Sequence, residues 1–152
     1  SRTAIRHQRV DGATNVHKVT YPGVVGTVEY DTAVFRTASP SEKMSPTAAT
    51  TVFRLRSAVR RVPIDSADTV SIGAYVRKSS AYTGSNPRLI QLSNAAIGVL
   101  SDTVIATHSA AADTWQLLSG TTAAASEDGV CEFVVECDGS AGAVYTDDWS
   151  GS

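Results

Sequence analysis

Residues 129–139 read Gly-Val-Cys-Glu-Phe-Val-Val-Glu-Cys-Asp-Gly, bounded by Asp128-Gly129 and Asp138-Gly139. Side chains alternate between the faces of a strand, so Cys131, Phe133, Val135 and Cys137 share one face. Glu132, Val134 and Glu136 share the other. The stretch predicts a strand turned at both ends by Asp-Gly. Six residues at ~3.3 Å each hold the cysteines about 20 Å apart, beyond the ~7 Å Cα limit for a disulfide. Two reduced thiols packed in a core are expected, in keeping with synthesis in a reducing compartment.

The same patterning recurs outward from this stretch. Strands are predicted near 15–20, 24–30, 33–37, 50–62, 69–78, 88–93, 103–108, 114–119, 129–137 and 142–149. Tyr21-Pro22-Gly23 is a turn signal. Ser39-Pro40-Ser41-Glu42 has the capping-box pattern, which predicts a one-turn helix stopped by Pro46. Ser79–Pro87 is a polar loop containing Tyr82, Gly84 and Asn86. The 152 residues include 41 Val, Ile and Thr but only 15 Leu, Met, Glu and Lys. β-branched side chains fit a pleated surface, and the scarce ones are helix formers. A helical bundle is excluded. The expectation is an all-β fold, a jelly-roll β-sandwich forming a single domain over 1–152, with 1–40 as N-terminal strands or an arm.

The net charge of −2 is unevenly distributed along the chain. Residues 1–61 carry +6, residues 62–100 carry +1 and residues 101–152 carry −9. Two arrangements satisfy this pattern. Strands from the two halves interleave and neutralise one another, or a basic face meets the acidic face of a neighbouring copy in a multi-copy array. The overall acidity argues against nucleic-acid binding, although Arg54, Arg56, Arg60 and Arg61 form a local basic stripe. No apolar run reaches the ~18 residues of a membrane span, so no membrane insertion is expected.

Catalytic chemistry is thinly represented. His7, His17 and His108 lie in no metal-spacing motif, and neither a nucleophile elbow nor a phosphate-cradling glycine loop is present. Asp147 and Asp148 are adjacent, so strand alternation predicts opposite faces and no joint acid–base action. An enzyme is not expected. The handle for binding is aromatic, because rings offer flat faces and neighbouring polar side chains bond hydroxyls. Trp115 shares a face with Leu117 and is expected in the core. Tyr75 shares a face with Gly73 and Arg77, a mixture suited to a groove. The candidate glycan contacts are Tyr75, Arg77, Tyr82 and Asn86.

Two segments resemble jelly-roll carbohydrate-binding modules of the kind found in tailed-phage virion proteins. One is Ser57-Ala-Val-Arg-Arg-Val-Pro-Ile-Asp-Ser-Ala-Asp-Thr-Val-Ser-Ile-Gly-Ala-Tyr-Val-Arg-Lys78. The other is the tail, with Thr114-Trp-Gln-Leu-Leu-Ser-Gly-Thr-Thr122, then residues 129–142, then Ala143-Val-Tyr-Thr-Asp-Asp-Trp149. The resemblance implies the fold, and a structural Ca²⁺ at Asp148, with Asp147 the second choice. It further implies a virion protein, either a capsid decoration or a tail- or fibre-associated domain. Its partners would be copies of itself or other virion proteins, and surface polysaccharide. The alternatives are an extracellular carbohydrate-binding module of a secreted glycan-degrading enzyme, or an adhesin domain. One fold hosts many functions, so the site must decide among them.

Overall fold

The computed structural model describes residues 5–8, 19–20, 26–47 and 55–152. In chain order the strands are β1 (Ile5–Gln8), β2 (Val19–Thr20), β3 (Gly26–Asp31), β4 (Ser41–Pro46), β5 (Leu55–Arg56) and β6 (Arg60–Ile64). There follow β7 (Ser71–Lys78), β8 (Arg88–Gln91), β9 (Thr103–Thr107), β10 (Gln116–Thr121), β11 (Gly129–Cys137) and β12 (Val144–Gly151). The fold is all-β, a jelly-roll sandwich of two antiparallel sheets. A seven-stranded sheet runs β10-β7-β12-β4-β3-β2, with β1 beside β12. A five-stranded sheet runs β5-β11-β8-β9, with β6 also on β11.

Strand β11 occupies 129–137, as its alternation predicts, and Cys131, Phe133, Val135 and Cys137 are all buried in the core. Both thiols are free, and burial pushes the Cys137 thiol well above its ordinary range. Facing them from the other sheet are Ile72, Ala74 and Val76 of β7, Leu118 of β10, Val144 and Trp149 of β12, and Met44 of β4. Each of the larger aliphatic side chains removed from water contributes about 1.5–3 kcal/mol, and together they fix which face of each sheet points outward.

Some expectations from the sequence need correction. Residues 41–46 form a strand, not a helical turn, paired to β3 from Gly26↔Pro46 to Asp31↔Ser41 and to β12 at Val144↔Met44. Neighbours on both sides outweigh a local capping pattern. Residues 33–37 are bends rather than a strand. The long strand expected over 50–62 is divided into β5 and β6 by residues 57–59, with 50–54 outside the described residues. Residues 15–18 and the Tyr21-Pro22-Gly23 turn also lie outside them. A 3-10 turn at Ala95–Ile97, capped by the Asn94 side chain, had no sequence expectation.

Part of the charge asymmetry is balanced within the sandwich. Arg36 pairs with Asp148, Arg56 with Asp102 and Glu136, Arg61 with Glu132, Arg77 with Asp113, and Arg88 with Glu136. Every one of these acids belongs to the −9 segment, and Arg36, Arg56 and Arg61 come from the +6 segment, as interleaved strands require.

Candidate functional site

Because Ile72, Ala74, Val76 and Leu118 point into the core, residues of opposite parity form the outer face of the seven-stranded sheet. On β7 these are Ser71, Gly73, Tyr75 and Arg77. Register then assigns their neighbours. Leu117 lies opposite Tyr75, and Ser119 opposite Gly73, on β10. Asp147 lies opposite Tyr75, and Tyr145 opposite Arg77, on β12, while Lys43 of β4 lies opposite Tyr145.

Trp115, one residue before β10, has the parity of Leu117. Leu117 is 45% exposed, so the face expected to be core is the solvent face. Leu117 was therefore assigned to the wrong side. Trp115 is half-buried.

Two cations cover two of the rings. The Arg36 guanidinium lies 3.5 Å from the Tyr75 ring centroid, and Lys43 Nζ lies 6.0 Å from that of Tyr145. Arg36 reaches Tyr75 from the bend segment before β4. Its Nη1 donates to Asp148 Oδ2 at 2.8 Å, and its backbone N–H donates to Asp147 Oδ2 at 2.9 Å. The bond to Asp148 raises the Arg36 pKa, so its charge is permanent. Arg77 Nη2 stands 3.5 Å from Asp113 Oδ1. Beyond Tyr75 the face opens into a depression of about 540 Å³ between β7, β10 and the end of β12.

Asp147 and Asp148 do not diverge as alternation predicts. The β7–β12 register shifts between Asp147 and Ser150, Asp148 has φ +49°, and its N–H donates to Asp147 Oδ1 at 2.8 Å. The bulge turns both carboxylates onto Arg36 and Thr37. The residues do not fit calcium. Asp148 accepts Arg36 Nη1 and Thr37 Oγ1, and both oxygens of Asp147 accept backbone N–H groups. A cation is therefore already in place, and Ca²⁺ needs several oxygen ligands that are not spoken for. Among the described residues no three His, Cys, Asp or Glu side chains are grouped to hold a metal ion. The expected result is a melting temperature indifferent to EDTA and to added Ca²⁺. Asp148→Asn lowers it by the same amount in both media, since the interaction lost is the one with Arg36. A Ca²⁺-dependent rise in melting temperature contradicts this.

Tyr82 lies elsewhere. Its hydroxyl donates to the Ser85 carbonyl and accepts the Asp138 N–H at 3.2 Å, and its ring packs against the core edge. Burial raises its pKa. Asn86 is exposed and accepts Lys78 Nζ at 2.8 Å. Tyr82 is thus committed to holding the 79–87 loop against residues 138–142, whereas Tyr75 and Arg77 sit on the sheet face. The sequence reading missed Lys43, Leu117 and Arg36. Period two alone puts Tyr145 on the face of Trp149, and only the bulge between Asp147 and Ser150 separates them. Arg36 reaches the site from a bend and left no pattern. His108 is buried, and desolvation lowers its pKa, keeping the ring neutral.

No protein-family model and no curated protein matches the sequence. Among solved structures, the CBM22-1 xylan-binding domain from Paenibacillus barcinonensis superposes with TM-score 0.64 at 13% identity, covering 98% of this chain and 91% of that one. The C-terminal family 22 carbohydrate-binding module of a Clostridium thermocellum protein superposes with TM-score 0.59 at 12% identity, covering 90% and 91%. The enzymatically active domain of tailspike protein 4 from bacteriophage CBA120 superposes with TM-score 0.56 at 10% identity, covering 91% of this chain but only 19% of that one. At these identities the likeness is one of fold. It agrees with the carbohydrate-binding-module-like jelly roll implied by the sequence phrases.

Proposed function

We propose that this domain is a non-catalytic glycan-binding module that holds a polysaccharide chain against the outer face of its seven-stranded sheet. The observation that carries the reading is the solvent side of that sheet. Leu117 and Tyr75 lie there among Arg77 and Lys43, beside an open depression, and the half-buried Trp115 stands one residue before β10. Aromatic and aliphatic faces accept the C–H surfaces of sugars, and the fixed polar groups accept or donate to hydroxyls. The fold likeness to xylan-binding modules supports the reading and supplies the first probe. Non-catalytic action is supported by the state of the buried carboxylates, since Glu42, Glu136, Asp147 and Asp148 are each engaged by arginine, hydroxyl or backbone donors.

A second reading is favoured by the likeness to the tailspike domain. On that reading the module sits on a phage particle and adsorbs to host-surface glycan. Neighbouring genes separate the two, a capsid or terminase gene supporting the particle and a fused hydrolase supporting the secreted enzyme.

The test is affinity electrophoresis of the whole chain through gels containing soluble xylan, mixed-linkage glucan or polygalacturonate. Wild-type protein is expected to be retarded by at least one of them. Trp115→Ala is expected to weaken that binding about tenfold or more, equivalent to ~1.4 kcal/mol, with little change in melting temperature. Unretarded migration of the wild-type protein in all three gels overturns the reading.

A further inference from the structure

We propose that His108 is a pH-sensitive latch on the segment that carries Trp115, closed while its ring is neutral and released when the ring takes a second proton. The latch stands on its own geometry, and its consequence for binding rests on the glycan-binding reading above. Of residues 101–117, His108 alone is buried, and it is wholly excluded from water. Residues 109–115, which lead from it to β10, are exposed or half-buried throughout. The His108 N–H donates to the Pro87 carbonyl at 2.8 Å, and the ring lies beside the backbone of Thr114 and Val76. Neither ring nitrogen makes a hydrogen bond to any described residue. The one side chain that anchors the segment is therefore titratable and unpartnered.

The surroundings suit the neutral ring only. A buried imidazolium without a counter-charge is far costlier than a buried imidazole. Lys78 of β7 is close enough to repel a proton on the ring, and its Nζ donates to Asn86. The neighbouring Arg77 faces Asp113, the acid of the segment itself, at 3.5 Å. Arg88, next to Pro87, pairs with Glu136, and β9 and β10 carry no charged residue. The other ties of the segment lie at its surface. Gln116 Oε1 accepts the N–H groups of Ser109 and Ala110 at 2.7 and 2.9 Å, and the Asp113 N–H donates to the Lys78 carbonyl at 2.8 Å. Asp113 is held at φ +62°, a region costly to most residues with a Cβ, so opening relieves it. Burial holds the ring's pKa below the ordinary ~6.5, so the closed form dominates above that pH and loses ground as pH falls. Release carries Trp115 away from the sheet edge and takes Asp113 from Arg77.

The experiment is acrylamide quenching of tryptophan fluorescence in the whole chain between about pH 7.5 and about pH 5, a range in which ordinary carboxylates stay ionised. Circular dichroism follows the strands in the same samples. Quenching of Trp115 is expected to rise as pH falls while the strand signal holds, with Trp115→Phe marking the part due to buried Trp149. His108→Phe fills the site without a titrating group and is expected to abolish the rise. A measurement on unaltered His108 supports it, the ring-proton resonances being assigned with His7→Gln and His17→Gln. His108 is expected to titrate below the ordinary range and in step with the quenching. Retardation by soluble xylan or mixed-linkage glucan is expected to weaken at the lower pH, by no more than about tenfold per pH unit for one proton, and not in His108→Phe. Wild-type quenching that stays flat, a rise that persists in His108→Phe, or a strand signal that falls with it overturns the latch. If Trp115 is released as expected while neither polysaccharide retards the protein at either pH, the latch stands and the glycan reading loses its support. If retardation is equal at both pH values although Trp115 is released, the latch stands without its consequence for binding.

Discussion

Glu42→Ala is expected to destabilise the domain by about 3–5 kcal/mol, lowering the melting temperature by roughly 6–20 °C at ~2–4 °C per kcal/mol. Glu42 is 3% exposed on β4, between the sheets. It accepts the Thr146 hydroxyl at 3.1 Å and the Ala58 N–H at 3.0 Å, and Arg60 Nη2 stands 3.6 Å away. Arg60 in turn lies 4.8 Å over the ring of Trp149, whose Nε1 donates to Thr146 at 3.3 Å. The cluster joins a strand of one sheet to β6 of the other. Alanine would leave a buried guanidinium without its counter-charge and an N–H without its acceptor, the costly way to break a buried pair. Glu42→Gln retains an acceptor for Thr146 and should cost less. Replacing both Glu42 and Arg60 with leucine should recover much of the loss, because no lone charge then remains. Thermal denaturation at neutral pH measures all three, and a Glu42→Ala loss under about 1 kcal/mol would place the carboxylate in the surface-pair class.

That cluster also shows where reading the sequence stopped. Period two is a local property, and it located β11 to the residue and most of β7, β8 and β9 within two. Ser39-Pro40-Ser41-Glu42 satisfies a local helix signal as well. Glu42, however, is claimed by Thr146, 104 positions away, and by Ala58, 16 away. No capping pattern encodes such partners. The same limit governed the site. Alternation tells which residues share a face, so Tyr75 was grouped correctly with Arg77 on β7. Which face meets water depends on the opposing sheet. The mixed row on β7 carried its own polarity and was placed outward, whereas Trp115 with Leu117 carried none. The +6 and −9 segments posed the same question for charge, and strand order brings Arg36, Arg56 and Arg61 of the first onto acids of the second.

Gly142→Ala is the second substitution expected to be severe, and it bears on Tyr82, one of the glycan contacts expected from the sequence. Gly142 has φ +76°, a region that costs other residues roughly 1–2 kcal/mol. A Cβ there would collide with the backbone N and Cα of Tyr82 and lie 2.5 Å from the Ala81 carbonyl carbon. Backbone cannot rotate aside as a side-chain tip can, so overpacking adds a further ~1–3 kcal/mol. The contact has a counterpart one turn away, where a Cβ on Gly84 would strike the Asp138 carbonyl and the Tyr82 hydroxyl. The Asp138 carboxylate accepts the Ser85 N–H at 2.6 Å, and the Thr83 N–H reaches the Ala141 carbonyl at 3.4 Å. Loops 79–87 and 138–142 therefore interlock through glycine, with Tyr82 as the pin. Gly142→Ala should lose about 2–5 kcal/mol in total, while Ser140→Ala, at an exposed position in the same loop, should lose little. Tyr82→Phe removes the bonds to Ser85 and Asp138 but keeps the ring, at about 1–3 kcal/mol for the buried donor and acceptor left behind. All of these losses appear as melting shifts, and binding to the sheet face should persist in whatever fraction stays folded. A Tyr82→Phe protein of wild-type stability that no longer binds glycan would reverse the assignment and return Tyr82 to the ligand.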